Sequence, residues 1–171
     1  MLLPLPVDAS AAERRAQYQS LTERLCALLV GVDNDVAFYA TVACELHHAF
    51  DAFHWTGFYR VTEPGVLTVG PYQGGHGCLR IPFDRGVCGA AARTGQTQRV
   101  DDVRLLSHHI ACSATTRSEL VVPVRDSAGQ LAAVLDIDSD YESYFLDEDQ
   151  ASIERLCALL GKKFLHLSLK G

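Results

Sequence analysis

The fold is decided by two apolar segments and the short link between them: Glu-Leu-Val-Val-Pro-Val at 119–124, Arg-Asp-Ser-Ala-Gly-Gln at 125–130 and Leu-Ala-Ala-Val-Leu-Asp-Ile-Asp at 131–138. Both apolar segments have the length of a strand. The link is rich in the residues that form turns, Asp, Ser and Gly. The stretch therefore predicts a hairpin at the centre of a sheet.

A second hairpin is predicted upstream. Residues 55–61 alternate with the period of two that is typical of a strand, and one of their faces, with Thr56 and Arg60, is the more polar. Residues 63–65, Glu-Pro-Gly, form a turn signal, and 66–72 form the returning strand. Because hairpins dominate the connections between strands, we expect a mainly antiparallel sheet.

Helices are predicted on both sides of these hairpins. The spacing of Ser10 and Glu13 is that of a capping box, and it opens a helix that ends near Gly31. Asn34 or Asp35 caps a second helix, a short helix ends at Gly95, and the last helix starts near Asp147. The predicted fold class is α/β in the α+β sense, an antiparallel sheet packed against helices.

Length and composition favour one ordinary domain. The chain has 171 residues, of which 48% are hydrophobic and 21% charged. A net charge of −6 gives no electrostatic support to a nucleic-acid partner. No apolar run is long enough to span a bilayer, and the N-terminus does not resemble a signal peptide. We therefore expect no membrane association, a cytoplasmic location and reduced thiols.

Three of the six cysteines indicate thiol chemistry. Cys78 and Cys88 are flanked by glycines, and Cys112 follows two histidines in His-His-Ile-Ala-Cys. Glycine lets a substrate approach a thiol closely, and histidine favours the reactive thiolate. The remaining cysteines lie on or beside apolar helical stripes and are expected to be core or interface thiols: Cys26, Cys44 and Cys157.

Two other hypotheses for the function of these cysteines have weaker support. A zinc site would need His76, His108 or His109 as well, but Cys78 and Cys88 are ten positions apart and do not form a zinc knuckle. A Cys-His-Asp hydrolase lacks its usual sequence signature. We therefore expect no metal and no cofactor.

Three carboxylates predict a site for a cation. Asp136 and Asp138 lie on one face of an apolar strand, and Glu119 starts the neighbouring strand. Buried carboxylates are costly unless a cation meets them, so the pattern indicates an ammonium-binding site. Trp55 and Tyr59, four residues apart on one strand face, could supply an aromatic wall for a methyl or thioether group.

Several ordered motifs resemble the free methionine-(R)-sulfoxide reductases, single GAF domains that act on the free amino acid. The resemblance covers about residues 36–164 and departs at Leu146, where the family usually has a threonine that caps the last helix. The motifs are Trp-Thr-Gly-Phe-Tyr at 55–59, Gly-Pro-Tyr-Gln-Gly at 70–74, Cys-Leu-Arg-Ile-Pro at 78–82, Arg-Gly-Val-Cys-Gly at 85–89, His-Ile-Ala-Cys at 109–112, Ser-Glu-Leu-Val-Val-Pro at 118–123 and Val-Leu-Asp-Ile-Asp-Ser at 134–139.

The resemblance implies a fold and a reaction. The fold is a single GAF domain over 1–171, with an N-terminal helix at about 10–31, a core at about 34–166 and about six strands. The reaction is the reduction of free L-methionine (R)-S-oxide. Cys112 attacks and becomes a sulfenic acid, Cys78 resolves it to a disulfide, and Cys88 is a second resolving thiol. Thioredoxin then reduces the disulfide.

The resemblance also assigns the substrate contacts. Glu119, Asp136 and Asp138 bind the ammonium group, and Trp55 and Tyr59 wall the methylthio end. The residues alone leave open whether Cys88 or Cys112 attacks first, because both have activating neighbours. They also leave open a non-catalytic GAF sensor of a small ligand. Apolar stripes on the first and last helices predict a homodimer.

Overall fold

Six strands form one sheet in the order β3-β2-β1-β6-β5-β4, with every neighbouring pair antiparallel. The structure, a computed structural model, describes residues 2–106 and 115–164, without the side chains of 163 and 164. The strands are β1 (Trp55–Glu63), β2 (Val66–Gln73), β3 (Arg80–Pro82), β4 (Gln98–Val100), β5 (Ser118–Arg125) and β6 (Leu131–Ser139). The two predicted hairpins, β1–β2 and β5–β6, meet where β1 pairs with β6, so the predicted antiparallel fold is confirmed.

Four α-helices pack on this sheet: α1 (Ala11–Leu28), α2 (Asp35–His47), α3 (Gly86–Thr94) and α4 (Asp147–Phe164). A 3₁₀ turn, Val103–Leu105, follows β4. None of the described helices is both long and apolar enough to cross a membrane.

The helix caps follow the sequence closely, with one difference. Ser10 and Glu13 form the predicted capping box, and the Asn34 side chain accepts from the backbone N–H of Ala37. Helix α1 ends at Leu28, three residues before the predicted end. Gly31 has a φ of +76°, so it belongs to the turn that follows the helix.

The sheet is covered on both faces, which corrects the expected polar face of β1. Thr56 is fully buried, and the first five residues of β1 are buried without alternation. On one face Phe58, Leu135 and their neighbours pack against α1, α2 and α4. On the other face Trp55, Tyr59 and their neighbours pack with α3. The aromatic residues of β1 are therefore divided between two separate cores.

A buried ion pair joins the first and last helices. Arg14 donates to Asp149 at 2.6 Å, and both side chains are at least 96% buried. The Tyr18 hydroxyl also donates to Asp149, at 2.8 Å. Asp149 further accepts from the backbone N–H of Leu146 at 2.8 Å. This last contact supplies half of a capping box at the start of α4, although Leu146 has no side-chain acceptor of its own.

Candidate active site

The three predicted carboxylates lie in two adjacent rows across the centre of the sheet. Asp138 on β6 is paired with Trp55 on β1 and with Glu119 on β5. In the next row on the same face, Asp136 is paired with Gly57 and Val121. Register alone therefore brings together the predicted acids and one of the predicted aromatic residues.

These carboxylates are buried without a cationic partner in the described part of the chain. Glu119 and Asp136 are each 6% exposed, and Asp138 is 8% exposed. None of the ion pairs among the described residues includes them. The Oδ1 atom of Asp136 is buried and has no hydrogen-bond partner there. The site is thus rich in carboxylate oxygens and has no cationic side chain paired with them among the described residues.

Burial controls the protonation of this cluster. It raises the pKa of Glu119 and of Asp138 well above the usual carboxyl range, and nearby carboxylates add to both shifts. Burial also raises the pKa of Asp136 to about 7, against hydrogen bonds from Cys88 and Glu119 that lower it. The cluster therefore retains protons at a pH where ordinary carboxyl groups have lost them.

Helix α3 brings Cys88 to the same acids. The Cys88 sulfur, a carboxylate oxygen of Glu119 and a carboxylate oxygen of Asp136 all lie within 4.8 Å of one another. The Cys88 thiol is buried in the first turn of α3, and burial together with Asp136 and Glu119 raises its pKa well above the usual value. A thiol held in its protonated form is a poor nucleophile. This environment does not favour Cys88 as the first attacking group.

Trp55 and Tyr59 lie side by side near the acids, and we call these two rings the aromatic wall. Their rings stack with centroids 5.6 Å apart, and Tyr72 of β2 stacks against Trp55 at 5.3 Å. Gly57 makes room for the indole, because a Cβ atom there would lie 2.6 Å from Trp55 Cη2. Sequence reasoning missed Tyr72, although it lies within the Gly-Pro-Tyr-Gln-Gly motif at 70–74.

A short glycine-rich segment carries Cys78 over this wall. We call residues 74–78 the Cys78 loop. Cys78 is disulfide-bonded, whereas Cys26, Cys44, Cys88 and Cys157 are free. Cys112 lies outside the described residues, so its predicted role stays a prediction. Of the expected core thiols, Cys157 is buried, and Cys26 and Cys44 are half-buried.

His54, which sequence reasoning also missed, lies next to Asp138 at one end of the two rows of acids. Its backbone N–H donates to the carbonyl of Asp138 at 3.1 Å. Its Nδ1 lies 3.3 Å from Oδ1 of Asp140, and its Nε2 lies 3.4 Å from the hydroxyl of Thr116. Burial lowers the pKa of His54, and Asp140 opposes that shift. The position of His54 directly before Trp55 is the sequence signal that could have found it.

Chemically, the site suits a small molecule with a cationic group and an apolar end. Three buried carboxylates stabilise a cation, and stacked aromatic rings pack against methyl or thioether groups. The Cys88 sulfur and the nearby carboxylate oxygens of Glu119 and Asp136 would also suit a metal ion. The disulfide-bonded Cys78 beside the aromatic wall adds a sulfur atom of the kind that takes part in thiol–disulfide exchange.

Comparison with known proteins agrees with this chemistry. The GAF domain family matches residues 13–163. The free methionine-R-sulfoxide reductase of Escherichia coli is 39% identical over 145 residues, covering 85% of this chain and 87% of that protein. The enzyme of the same name from Saccharomyces cerevisiae is 39% identical over 139 residues, covering 77% of each chain.

A solved structure extends the agreement to the fold. The free methionine-R-sulfoxide reductase of Neisseria meningitidis, solved in complex with its substrate, aligns with a TM-score of 0.85 and 37% identity. The alignment covers 96% of this chain and 95% of that one. On fold and sequence together, the chain belongs to the free methionine-R-sulfoxide reductases, a family built on the GAF domain.

Proposed function

We propose that this chain reduces free L-methionine (R)-S-oxide to L-methionine. Relatives at 37–39% identity carry that activity in their names, and one of them was solved with its substrate. The observation that carries the proposal is the pairing of Trp55, Asp138 and Glu119 across three strands. It sets an aromatic ring for the methylthio group beside acids for the ammonium group.

The acids explain a preference for the free amino acid. Glu119, Asp136 and Asp138 are buried and lack a cation among the described residues. The ammonium group of a free amino acid supplies the missing charge, and a peptide nitrogen does not. Trp55 and Tyr59 pack against the methylthio end. The ligand atoms of Cys88, Glu119 and Asp136 would also suit a metal ion, but the proposed reaction requires none. Activity should therefore survive treatment with a chelator.

The chemistry is an oxygen transfer to a thiol. The Cys112 thiolate attacks the sulfoxide sulfur, methionine leaves, and the oxygen remains on Cys112 as a sulfenic acid. A protonated carboxyl group, Asp136 being the best placed by its raised pKa, supplies the proton that the sulfoxide oxygen needs. The Cys78 thiol then displaces water from the sulfenic acid and forms a disulfide.

Thioredoxin closes the cycle by thiol–disulfide exchange. The pairing of Cys78 with Cys112 is supported by the four other cysteines, which are all free. We keep Cys88 as a secondary resolving thiol only, because its protonated, buried thiol is poorly suited to attack. Such recycling needs a reducing compartment, which is our reason for proposing the cytoplasm.

We also propose a homodimer through α1 and α4. Leu28 of α1 and Leu159 of α4 are 43% and 42% exposed on helices that pack together. Leftover apolar stripes of this kind often pair across a two-fold axis. Light scattering at micromolar concentration should give twice the chain mass, and a monomeric mass would exclude the dimer.

The experiment for the function is consumption of each free methionine sulfoxide epimer by the purified protein, with dithiothreitol or thioredoxin as reductant. We expect the (R) epimer to be consumed and the (S) epimer to remain. Thiols should be titrated before and after substrate is added. If the (R) epimer binds but neither it nor the thiols change, the chain is a non-catalytic sensor.

A further inference from the structure

The polar edges of the aromatic wall touch the backbone of the Cys78 loop. The indole N–H of Trp55 donates to the carbonyl of Gly75 at 3.1 Å. The Tyr59 hydroxyl lies against the other end of the loop, where a backbone hydrogen bond from Cys78 opposes the rise that burial causes in the pKa of Tyr59. The loop is therefore held at two points by the residues whose faces line the proposed substrate site.

The spacing of the loop's glycines shows how closely it lies on the wall. A Cβ atom on Gly77 would lie 2.8 Å from the hydroxyl oxygen of Tyr59 and 3.0 Å from Cζ2 of Trp55. A Cβ atom on Gly75 would meet nothing within 4 Å. Of these two glycines, only Gly77 lies close enough to the wall for a Cβ atom to meet Tyr59 and Trp55, and it directly precedes the disulfide-bonded cysteine.

The downstream end of the loop is fixed separately. The backbone N–H of Val69 on β2 donates to the carbonyl of Leu79 at 3.1 Å. Cys78 therefore lies between an anchor on β2 and an anchor on the Tyr59 hydroxyl. Tyr59 is 1% exposed and its ring is stacked on Trp55, so the hydroxyl has a fixed position.

We infer that Tyr59 is a positioning residue for the disulfide-forming step, its hydroxyl fixing the Cys78 backbone so that the Cys78 thiol reaches the sulfenic acid. The inference rests on the proposed function. In that step the Cys78 sulfur bonds to the Cys112 sulfur, and the sulfenic oxygen leaves as water. Tyr59 takes part in no bond change. The faces of Trp55 and Tyr59 serve the substrate, and their polar edges serve the resolving thiol.

The experiment is a single turnover of the reduced protein with (R)-sulfoxide and no external reductant. Methionine release reports the first step, and loss of free thiols reports the second. For Gly77→Ala we expect one methionine per chain at the wild-type rate, with disulfide formation about five- to tenfold slower, as for the loss of one hydrogen bond. Gly75→Ala is the matched control, and both steps should match the wild type.

Tyr59→Phe keeps the ring and removes the hydroxyl. We expect disulfide formation to fall about five- to tenfold relative to methionine release, and a sulfenic-acid probe such as dimedone to label the protein during the delay. The phenylalanine also removes one of the two atoms that a Cβ on Gly77 would strike. Disulfide formation in the double variant Gly77→Ala/Tyr59→Phe should therefore be faster than the product of the two single-variant effects predicts.

Disulfide formation at the wild-type rate in Gly77→Ala or Tyr59→Phe would overturn the inference. Equal slowing in Gly75→Ala and Gly77→Ala would also overturn it, because general stiffening of the loop would then explain the delay. Absence of methionine release from the wild type would instead overturn the proposed function, so the two failures are distinguishable.

Discussion

Glu119 and Asp138 lie directly opposite each other on neighbouring strands, with both residues more than nine-tenths buried. Like charges in such a pair destabilise a sheet. Burial and neighbouring carboxylates raise the pKa of both groups, so the unliganded site relieves the repulsion by retaining protons. A bound ammonium group would relieve it instead, which makes these acids costly for the fold and useful for binding.

Asp138→Asn should therefore separate function from stability. Loss of a charge-assisted hydrogen bond should lower kcat/KM for the free sulfoxide roughly ten- to a hundredfold. The Tm should stay unchanged or rise, because an asparagine at this buried position needs no proton to avoid like-charge repulsion. Steady-state kinetics and thermal unfolding measure both quantities. Asp33→Asn, which removes the same charge from an exposed position, is the matched control. A stable Asp138→Asn enzyme with full activity would contradict the role of Asp138.

Stability should fall as pH rises through the range in which the acid cluster titrates. Asp136 keeps its proton up to a pKa of about 7 in the folded chain and loses it near 3.8 when unfolded. Between these values the folded state binds more protons, so its stability decreases with rising pH.

Asp136→Asn should remove the part of that pH dependence that Asp136 causes. Its free energy of unfolding, from urea titrations, should exceed that of the wild type at pH 8 by at most about 4 kcal/mol, since each pKa unit corresponds to about 1.4 kcal/mol. Near pH 4 the advantage should disappear. A difference between the two proteins that is the same at pH 4 and pH 8 would show that the carboxyl group is not held protonated.

The cysteines should separate into distinct steps. Cys112→Ser should abolish turnover, because a hydroxyl is a far weaker nucleophile than a thiolate. Cys78→Ser should release about one methionine per chain but fail to turn over with thioredoxin, since no resolving disulfide forms. Cys26→Ser, at a free and half-buried thiol, should behave as the wild type. Near-normal single-turnover reduction by Cys112→Ser would transfer the nucleophile's role to Cys88.

The start of α4 should accept a stronger cap. Leu146 is 40% exposed and offers no side-chain acceptor, while Asp149 already bonds its backbone N–H. Leu146→Thr should raise the free energy of unfolding by about 1 kcal/mol, because a threonine hydroxyl can accept a free N–H of the first turn. Leu146→Ala controls for loss of the leucine side chain. Equal unfolding midpoints for the two variants would show that the added hydroxyl does not cap the helix.

The hairpins and the acid rows could be predicted because they depend on local pattern and on period-two alternation. Asp136 and Asp138 share a face by spacing alone, and register with β5 adds Glu119. The burial of the Thr56 face of β1 could not be predicted, because it depends on tertiary packing of Phe58 and its neighbours against α1, α2 and α4. His54 was missed for the same reason, since its partners Asp140 and Thr116 are remote in sequence.

The depth of Cys88 is the most instructive difference. Its glycine-flanked setting indicated thiol chemistry, and the residues alone left open whether Cys88 or Cys112 attacks first. In the fold, α3 starts at Gly86 and directs Cys88 onto Asp136 and Glu119. Flanking residues report local backbone freedom, whereas thiol reactivity depends on burial and on charges brought by other strands.

The central claim is that the buried acids recognise the ammonium group of a free amino acid. One comparison tests it most directly. The wild-type protein is given free L-methionine (R)-S-oxide and its N-acetylated form under identical reducing conditions. Acetylation removes the cation and leaves the sulfoxide unchanged. We predict rapid consumption of the free compound and little consumption of the acetylated one. Equal rates would mean that Glu119, Asp136 and Asp138 do not recognise the ammonium group.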